Sequence, residues 1–135
     1  MDIPKLSIGL ELETNVIDRE TGKVILDFNN KEFEKCSSHF LSQSYPALQT
    51  EFDAATIEFS TLPYGDVDSA FNSLSANFDA VNEYLYQQGY LLLLLGLHPG
   101  RSRNEILMTN SPYCLASIPL MAEVRIPLMV NSDST

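Results

Sequence analysis

Basic residues are scarce in this sequence. It contains 8 lysines and arginines against 18 aspartates and glutamates, which gives a formal net charge of −10. Because nucleic acids and anionic membranes attract positively charged surfaces, this balance argues against either as a partner. Solubility alone accounts for most of the excess acid, and a cation site would use only a few of these charges.

Cysteine is also scarce, with only two residues, Cys36 and Cys114. They lack C-x-x-C spacing, so we expect no disulfide framework and predict a reducing, cytoplasmic setting. The apolar run from Tyr90 to Leu97 is far shorter than the roughly 20 residues of a membrane span. The charged N-terminus lacks the apolar run of a signal peptide, so we expect no membrane association.

Several local enzyme signatures are missing. The sequence has no G-x-x-x-x-G-K-[ST] phosphate loop and no Ser/His/Asp or Cys/His nucleophile pattern. With 135 residues, the chain is predicted to form a single domain over residues 1–135 that is large enough to bury a core.

The hydrophobic pattern predicts an α+β domain. Alternating or continuous apolar residues predict four strands, the last buried on both faces: 6–18, Lys23–Asp27, Ala54–Thr61 and Tyr90–Leu97. A long amphipathic helix is predicted to begin at Asp66 or Asp68 and to end at Gly89. A weaker helix is predicted over Lys31–Leu41, capped by the preceding asparagines.

Acidic residues recur on the polar sides of two predicted strands. Glu11 and Glu13 share one face of the first strand, because alternate residues of a strand point the same way. Glu58 lies on the polar face of the third strand, and Glu51 precedes it by seven residues. If these faces belong to one sheet, the carboxylates converge on an all-oxygen site of the kind that Mg2+ prefers. A solvated acidic face, without a metal, remains the simpler alternative.

A short polar segment follows the last predicted strand. His98 lies before Pro99, and Arg101 and Arg103 come shortly after it. These three side chains could contact the phosphates of a nucleotide, and His98 could also contact a metal. A structural role for His98 and ordinary surface charges at Arg101 and Arg103 are the simpler alternatives.

The order of these pieces resembles the glutamate–cysteine ligase family, in particular its second bacterial class of carboxylate–amine ligases. The resemblance rests on G-x-E-x-E at Gly9–Glu13, and on E-x6-E from Glu51 to Glu58 with Thr61-Leu62-Pro63 after it. The long helix and G-L-H-P at 96–99 complete the series, which spans about residues 7–100.

The resemblance implies a glutamine-synthetase-like fold, with a curved, mainly antiparallel sheet and helices on one face. It implies an ADP-forming ligase of glutathione biosynthesis that uses ATP and Mg2+, phosphorylates the carboxylate of glutamate and then admits an amine. Glu11, Glu13 and Glu58 would be metal ligands and Glu51 a metal or substrate ligand. His98 would face the nucleotide phosphates or a metal.

The chain also departs from the family pattern. The H-x-H-x-G strand and further ligands of the family's second half do not follow Arg101 here. In this family the curved sheet forms a funnel around the substrates, and we expect this funnel to be incomplete here, so that the chain alone is not expected to be active. Either the chain is a split or shortened gene product, or a homo-oligomer or a partner chain supplies the missing half. The alternative is a non-catalytic remnant that acts as a binding or assembly module. A third possibility is an acidic α+β domain without a metal site.

Overall fold

A computed structural model describes residues 5–41, 48–95 and 98–116. In chain order its elements are β1 (Glu11–Asp18), α1 (Phe28–Lys31), α2 (Phe33–Leu41), β2 (Leu48–Thr50), β3 (Thr56–Ser60), α3 (Val67–Gln87), β4 (Tyr90–Leu93) and a 3-10 turn at Arg103–Glu105. The strands form one sheet in the order β2-β3-β1-β4, and every pairing is antiparallel. The predicted α+β class with an antiparallel sheet is therefore confirmed.

One face of the sheet is apolar and packs against the helices. Leu12 pairs with Phe59, Thr14 with Ile57 and Val16 with Leu92, so these alternate positions point into one core. Helices α1, α2 and α3 each add side chains to this core: Phe28, Cys36, Phe40, Leu74, Val81 and Leu85. The helices thus cover one face, and the polar residues of β1 and β3 point to the opposite face.

The long helix forms where the sequence predicts it. Asp66 is its N-cap, and its carboxylate accepts a hydrogen bond of 2.7 Å from the backbone N–H of Ser69. The helix ends at Gln87, and Gly89 follows with a φ of +91°, a conformation that glycine adopts without steric penalty. In the described part of the chain, no helix is long and apolar enough to cross a bilayer.

The predicted strand at Lys23–Asp27 is wrong. This segment makes only an isolated bridge, between Val24 and Ile17. The fully buried Phe28 begins α1 immediately afterwards, so the chain leaves β1 before a ladder can extend. The predicted helix over Lys31–Leu41 is replaced by α1 and α2, which are separated at Glu32.

The last strand is shorter and more exposed than predicted. β4 lies at an edge of the sheet, and among its residues only Leu92 is buried. Leu94 and Leu95 follow the end of β4 and are exposed. Gly96 and Leu97, the rest of the predicted strand, lie outside the described residues. The strands predicted over 6–18 and Ala54–Thr61 form with the shorter bounds of β1 and β3.

Candidate metal centre

The register of the sheet brings two predicted ligands face to face. Glu13 of β1 pairs directly with Glu58 of β3, and Glu11 pairs with Ser60 on the same polar face. Directly opposed residues of an antiparallel pair have Cβ atoms about 4.5–5.5 Å apart, and like charges in this arrangement are unfavourable. The pairing therefore concentrates negative charge at the centre of the polar face.

A third carboxylate joins this pair from the end of β2. Glu51 follows Thr50 directly, and one carboxylate oxygen from each of Glu13, Glu51 and Glu58 lies within 4.8 Å of the other two. Unit charges at about this separation repel by about 3 kcal/mol at an effective dielectric of about 20. Glu11 lies outside this close group, although its charge acts on Glu58. We call the three residues the carboxylate cluster.

The pKa of Glu58 reflects the environment of the carboxylate cluster. Its pKa is raised to about 7, first because burial removes water from the charged form. A side-chain hydrogen bond with Glu51 raises it further, as do the negative charges of Glu51, Glu11 and Glu13. A proton therefore compensates part of the negative charge near neutral pH, a task that a cation could also perform.

A cleft of about 250 Å³ lies beside the carboxylate cluster, and its lining includes Glu13, Glu51, Asn15 and Asp53. A chain of hydrogen bonds crosses its floor. The amide of Asn15 donates to the hydroxyl of Thr56 at 2.7 Å, and this hydroxyl donates to the Asp53 carboxylate at 2.9 Å. The neutral side chains of Asn15 and Thr56 therefore fix the position of the Asp53 carboxylate beside the carboxylate cluster.

The sequence interpretation missed Asp53, which binds Arg101. The guanidinium donates two hydrogen bonds, of 2.5 and 2.6 Å, to the two carboxylate oxygens of Asp53. Only 9% of the Arg101 side chain is exposed, and it borders the cleft. The D-x-x-T spacing, in which Asp53 accepts bonds from the backbone of Ala55 and the hydroxyl of Thr56, was the available local signal.

His98 is held by backbone groups at both ring nitrogens. Its Nδ1 accepts from the N–H of Gly100 at 3.0 Å, so Nε2 carries the proton and donates to the carbonyl of Gly22 at 2.9 Å. His98 lines a second cleft of about 310 Å³, together with Lys23 and Arg101. Arg101 therefore borders both clefts. His98 could contact a phosphate only if the phosphate replaced one of these two backbone groups as its hydrogen-bond partner.

Arg103 begins the 3-10 turn after Ser102. The turn has a capping box, in which the side chains of Ser102 and Glu105 bond to each other's backbone N–H groups. The side chain of Arg103 lies outside the described part of the structure. Its predicted phosphate contact therefore stays a prediction.

A family model, glutamate-cysteine ligase family 2 (GCS2), matches residues 7–118. The chain belongs to this family. The match includes the carboxylate cluster and both clefts, and it extends beyond residue 100, where the recognised motifs end. Family 2 is a family of ligases, so the resemblance drawn from the sequence is confirmed at that level. No curated protein and no solved structure gave a significant match to the chain.

Proposed function

We propose that the chain is an ATP- and Mg2+-dependent carboxylate–amine ligase of the glutamate–cysteine type, in which the carboxylate cluster holds a divalent cation. One observation carries the proposal: three carboxylates have oxygens within 4.8 Å of one another in a member of a ligase family. Glu11, on the same face, is the candidate for a further ligand. Two free, buried cysteines are compatible with the cytoplasm as the setting.

The donor set fits Mg2+ better than it fits a softer metal. All three residues of the carboxylate cluster offer oxygen, the ligand that hard cations select, whereas zinc favours thiolate and imidazole. Burial first, and then the hydrogen bond with Glu51 and the neighbouring negative charges, raise the pKa of Glu58, so the charged form of this carboxylate lacks a compensating cation in the protein alone. A divalent cation would displace the proton and turn the mutual repulsion of the carboxylates into shared attraction.

In the proposed reaction, an oxygen of the substrate carboxylate bonds to the γ-phosphorus of ATP, and the bond to the β–γ bridging oxygen breaks to release ADP. The amine nitrogen then bonds to the acyl carbon, the bond from this carbon to the phosphate oxygen breaks, and the nitrogen gives up a proton to the departing phosphate, which leaves an amide. When bound, Mg2+ supplies neutralisation of phosphate charge. The carboxylate cluster would hold the cation, and His98 and Arg103 are the candidates for phosphate contacts. Arg101, which is 9% exposed and bound to Asp53, would contact a phosphate only by leaving that pair. Glutamate and an amine are the proposed substrates.

Isothermal titration with MgCl2 or MnCl2, with and without ATP, tests the cation site. We expect binding to the native chain and its loss in Glu13→Gln and Glu51→Gln, since each removes one charged ligand of the cluster. Glu83→Gln is the matched control, because Glu83 is exposed on α3 in the helical layer. Absent binding, or equal binding by all four proteins, would contradict the proposal. Release of ADP with glutamate and candidate amines then tests the reaction.

A second candidate function is a non-catalytic binding or assembly module, and exposed apolar side chains favour it. Val67 and Phe71 lie one turn apart on α3 and are 55% and 59% exposed. In the described sheet, β2 and β4 are edge strands, and such edges and apolar surfaces readily accept partners. A second copy or a partner chain that completes the site is compatible with either candidate function.

Size-exclusion chromatography with light scattering distinguishes these states. If α3 forms the contact, Phe71→Lys should shift an oligomer to monomer without loss of stability, because Phe71 is already exposed. Asn72→Lys, also exposed and next in sequence, is the control for added charge. A native chain that is monomeric at micromolar concentration would argue against self-assembly through this surface.

A further inference from the structure

Glu51 reaches the carboxylate cluster from a connection, whereas Glu13 and Glu58 are fixed by strand pairing. Glu51 lies in the connection between β2 and β3. A backbone hydrogen bond of 3.2 Å, from the N–H of Glu51 to the carbonyl of Thr56, closes this connection. A ligand on a connection depends on its supporting contacts to keep a geometry suitable for a metal. The N–H of Phe52 donates to the Glu51 carboxylate at 3.0 Å, and the remaining contacts come from distant parts of the chain.

The supporting segment is residues 107–110, which runs beside this connection. The N–H of Ala54 donates to the carbonyl of Leu107, and the N–H of Thr109 donates to the carbonyl of Phe52, both at 2.8 Å. The hydroxyl of Thr109 donates to the carbonyl of Glu51 at 2.5 Å. Thr109 thereby holds the backbone of the ligand residue itself.

Thr109 is buried, with 3% of its surface exposed, and its hydroxyl is used on both sides. It also accepts a hydrogen bond of 3.1 Å from the side-chain amide of Asn29, which donates further to the carbonyl of Thr56 at 2.8 Å. Loss of the hydroxyl would remove the shorter of two donors to the Glu51 carbonyl and leave it with the more distant amide of Asn29, at 3.4 Å, so the connection would be held less tightly.

We propose that Thr109 is a positioning residue that fixes Glu51 within the carboxylate cluster, so that its hydroxyl sets the affinity for the divalent cation. This inference rests on the proposed function and gives the segment after residue 105 a role in it. Outer partners of metal ligands typically change metal affinity by about 10- to 100-fold when they are removed. We expect an effect of this size from loss of one hydroxyl that touches no metal.

Affinity for Mn2+, measured by titration calorimetry, tests the inference in the full chain. Thr109→Val should weaken binding by about 10-fold or more, whereas Thr109→Ser keeps the hydroxyl and should remain within about threefold of native. Thr14→Val is the matched control, because Thr14 is buried with a hydroxyl that has no hydrogen-bond partner. Its affinity should be unchanged.

Unfolding by urea without metal separates positioning from general destabilisation. If Thr109→Val proves poorly folded, Asn30→Ala acts more mildly on the same segment, because Asn30 binds the carbonyl of Met108 and the N–H of Asn110. It should also weaken Mn2+ binding while the chain stays folded. Native affinity in folded Thr109→Val, or equal loss in Thr109→Ser, would overturn the inference. Failure of the native chain to bind Mn2+ would instead refute the proposed function on which it rests.

Discussion

Replacement of Glu58 by glutamine separates two effects of the carboxylate cluster: the stability that it costs the folded chain without metal, and the stability that it provides when a cation binds. Glutamine keeps nearly the same shape and can still bond to Glu51, but it cannot ionise. In the native chain the pKa of Glu58 is about 7, compared with an ordinary value of 4.5. The folded state therefore binds this proton more tightly than the unfolded state does, and the native chain should lose stability as the pH rises between these values.

The size of the effect follows from the two pKa values. The difference corresponds to at most about 3 kcal/mol of unfolding free energy, since each pKa unit is worth about 1.4 kcal/mol and residual solvent screens the group. Without metal, Glu58→Gln should therefore be more stable than native protein at about pH 8 by up to about 3 kcal/mol, and nearly equal to it at about pH 4.

Urea unfolding followed by circular dichroism measures this difference, and a divalent cation should then reverse it. A ligand at 100 times its dissociation constant stabilises the folded state by about 2.7 kcal/mol. Saturating Mg2+ should raise the stability of native protein at about pH 8 by a comparable amount and leave Glu58→Gln almost unchanged. An acidic domain without a metal site would also be stabilised by Glu58→Gln at about pH 8, but Mg2+ would not stabilise its native form.

Two outcomes would refute the reasoning. If Glu58→Gln gains no stability at alkaline pH, the carboxylate cluster is not under the electrostatic stress that its geometry implies. If the stability difference between the two proteins does not change with pH, the titrating group is not Glu58. Glu83→Gln, which removes the same charge from the exposed surface of α3, should show neither effect.

Three further predictions concern an ion pair at the cleft, a backbone conformation after α3 and a buried thiol in the core. Arg101→Met should cost about 2 kcal/mol, less than the about 3–5 kcal/mol of fully buried pairs, because the remaining Asp53 is 24% exposed. Asp53→Asn combined with Arg101→Met should cost less than the sum of the single changes in urea unfolding, and additive costs would argue against the pair. Gly89→Ala should destabilise by about 1 kcal/mol through its φ of +91° alone, since no atom lies within 4 Å of the added carbon. Thermal melts of both variants test this, and Gly65→Ala, equally unobstructed and without a positive φ, should be neutral. Equal losses of stability in the two variants would remove backbone strain as the cause. Burial raises the pKa of the Cys36 thiol to about 12, so a thiol reagent should modify Cys36 only after unfolding, and rapid reaction of the native chain would contradict its position in the core.

Local sequence determined the parts of the fold that follow from periodicity. Alternation in Glu11–Asp18 fixes which residues of β1 face the core, and the apolar spacing together with Asp66 and Gly89 fixes α3 and its ends. The same alternation predicted that Glu13 and Glu58 would point away from the core. Periodicity wrongly predicted a strand at Lys23–Asp27. Its pairing with β1 ends after one bridge, where Phe28 becomes buried in the core, and this burial depends on tertiary packing.

Tertiary structure alone decided which of these residues meet. The β1–β3 register places Glu13 opposite Glu58 and leaves Glu11 opposite Ser60, a choice that neither strand contains by itself. Glu51, Asp53 and Arg101 reach the site through contacts between segments far apart in sequence. Thr109 has no local motif at all, since its role exists only where residues 107–110 pass beside the connection that holds Glu51. Periodicity reports which way a side chain points within its own element, whereas a site depends on distances between elements, and only packing of the whole chain sets those distances.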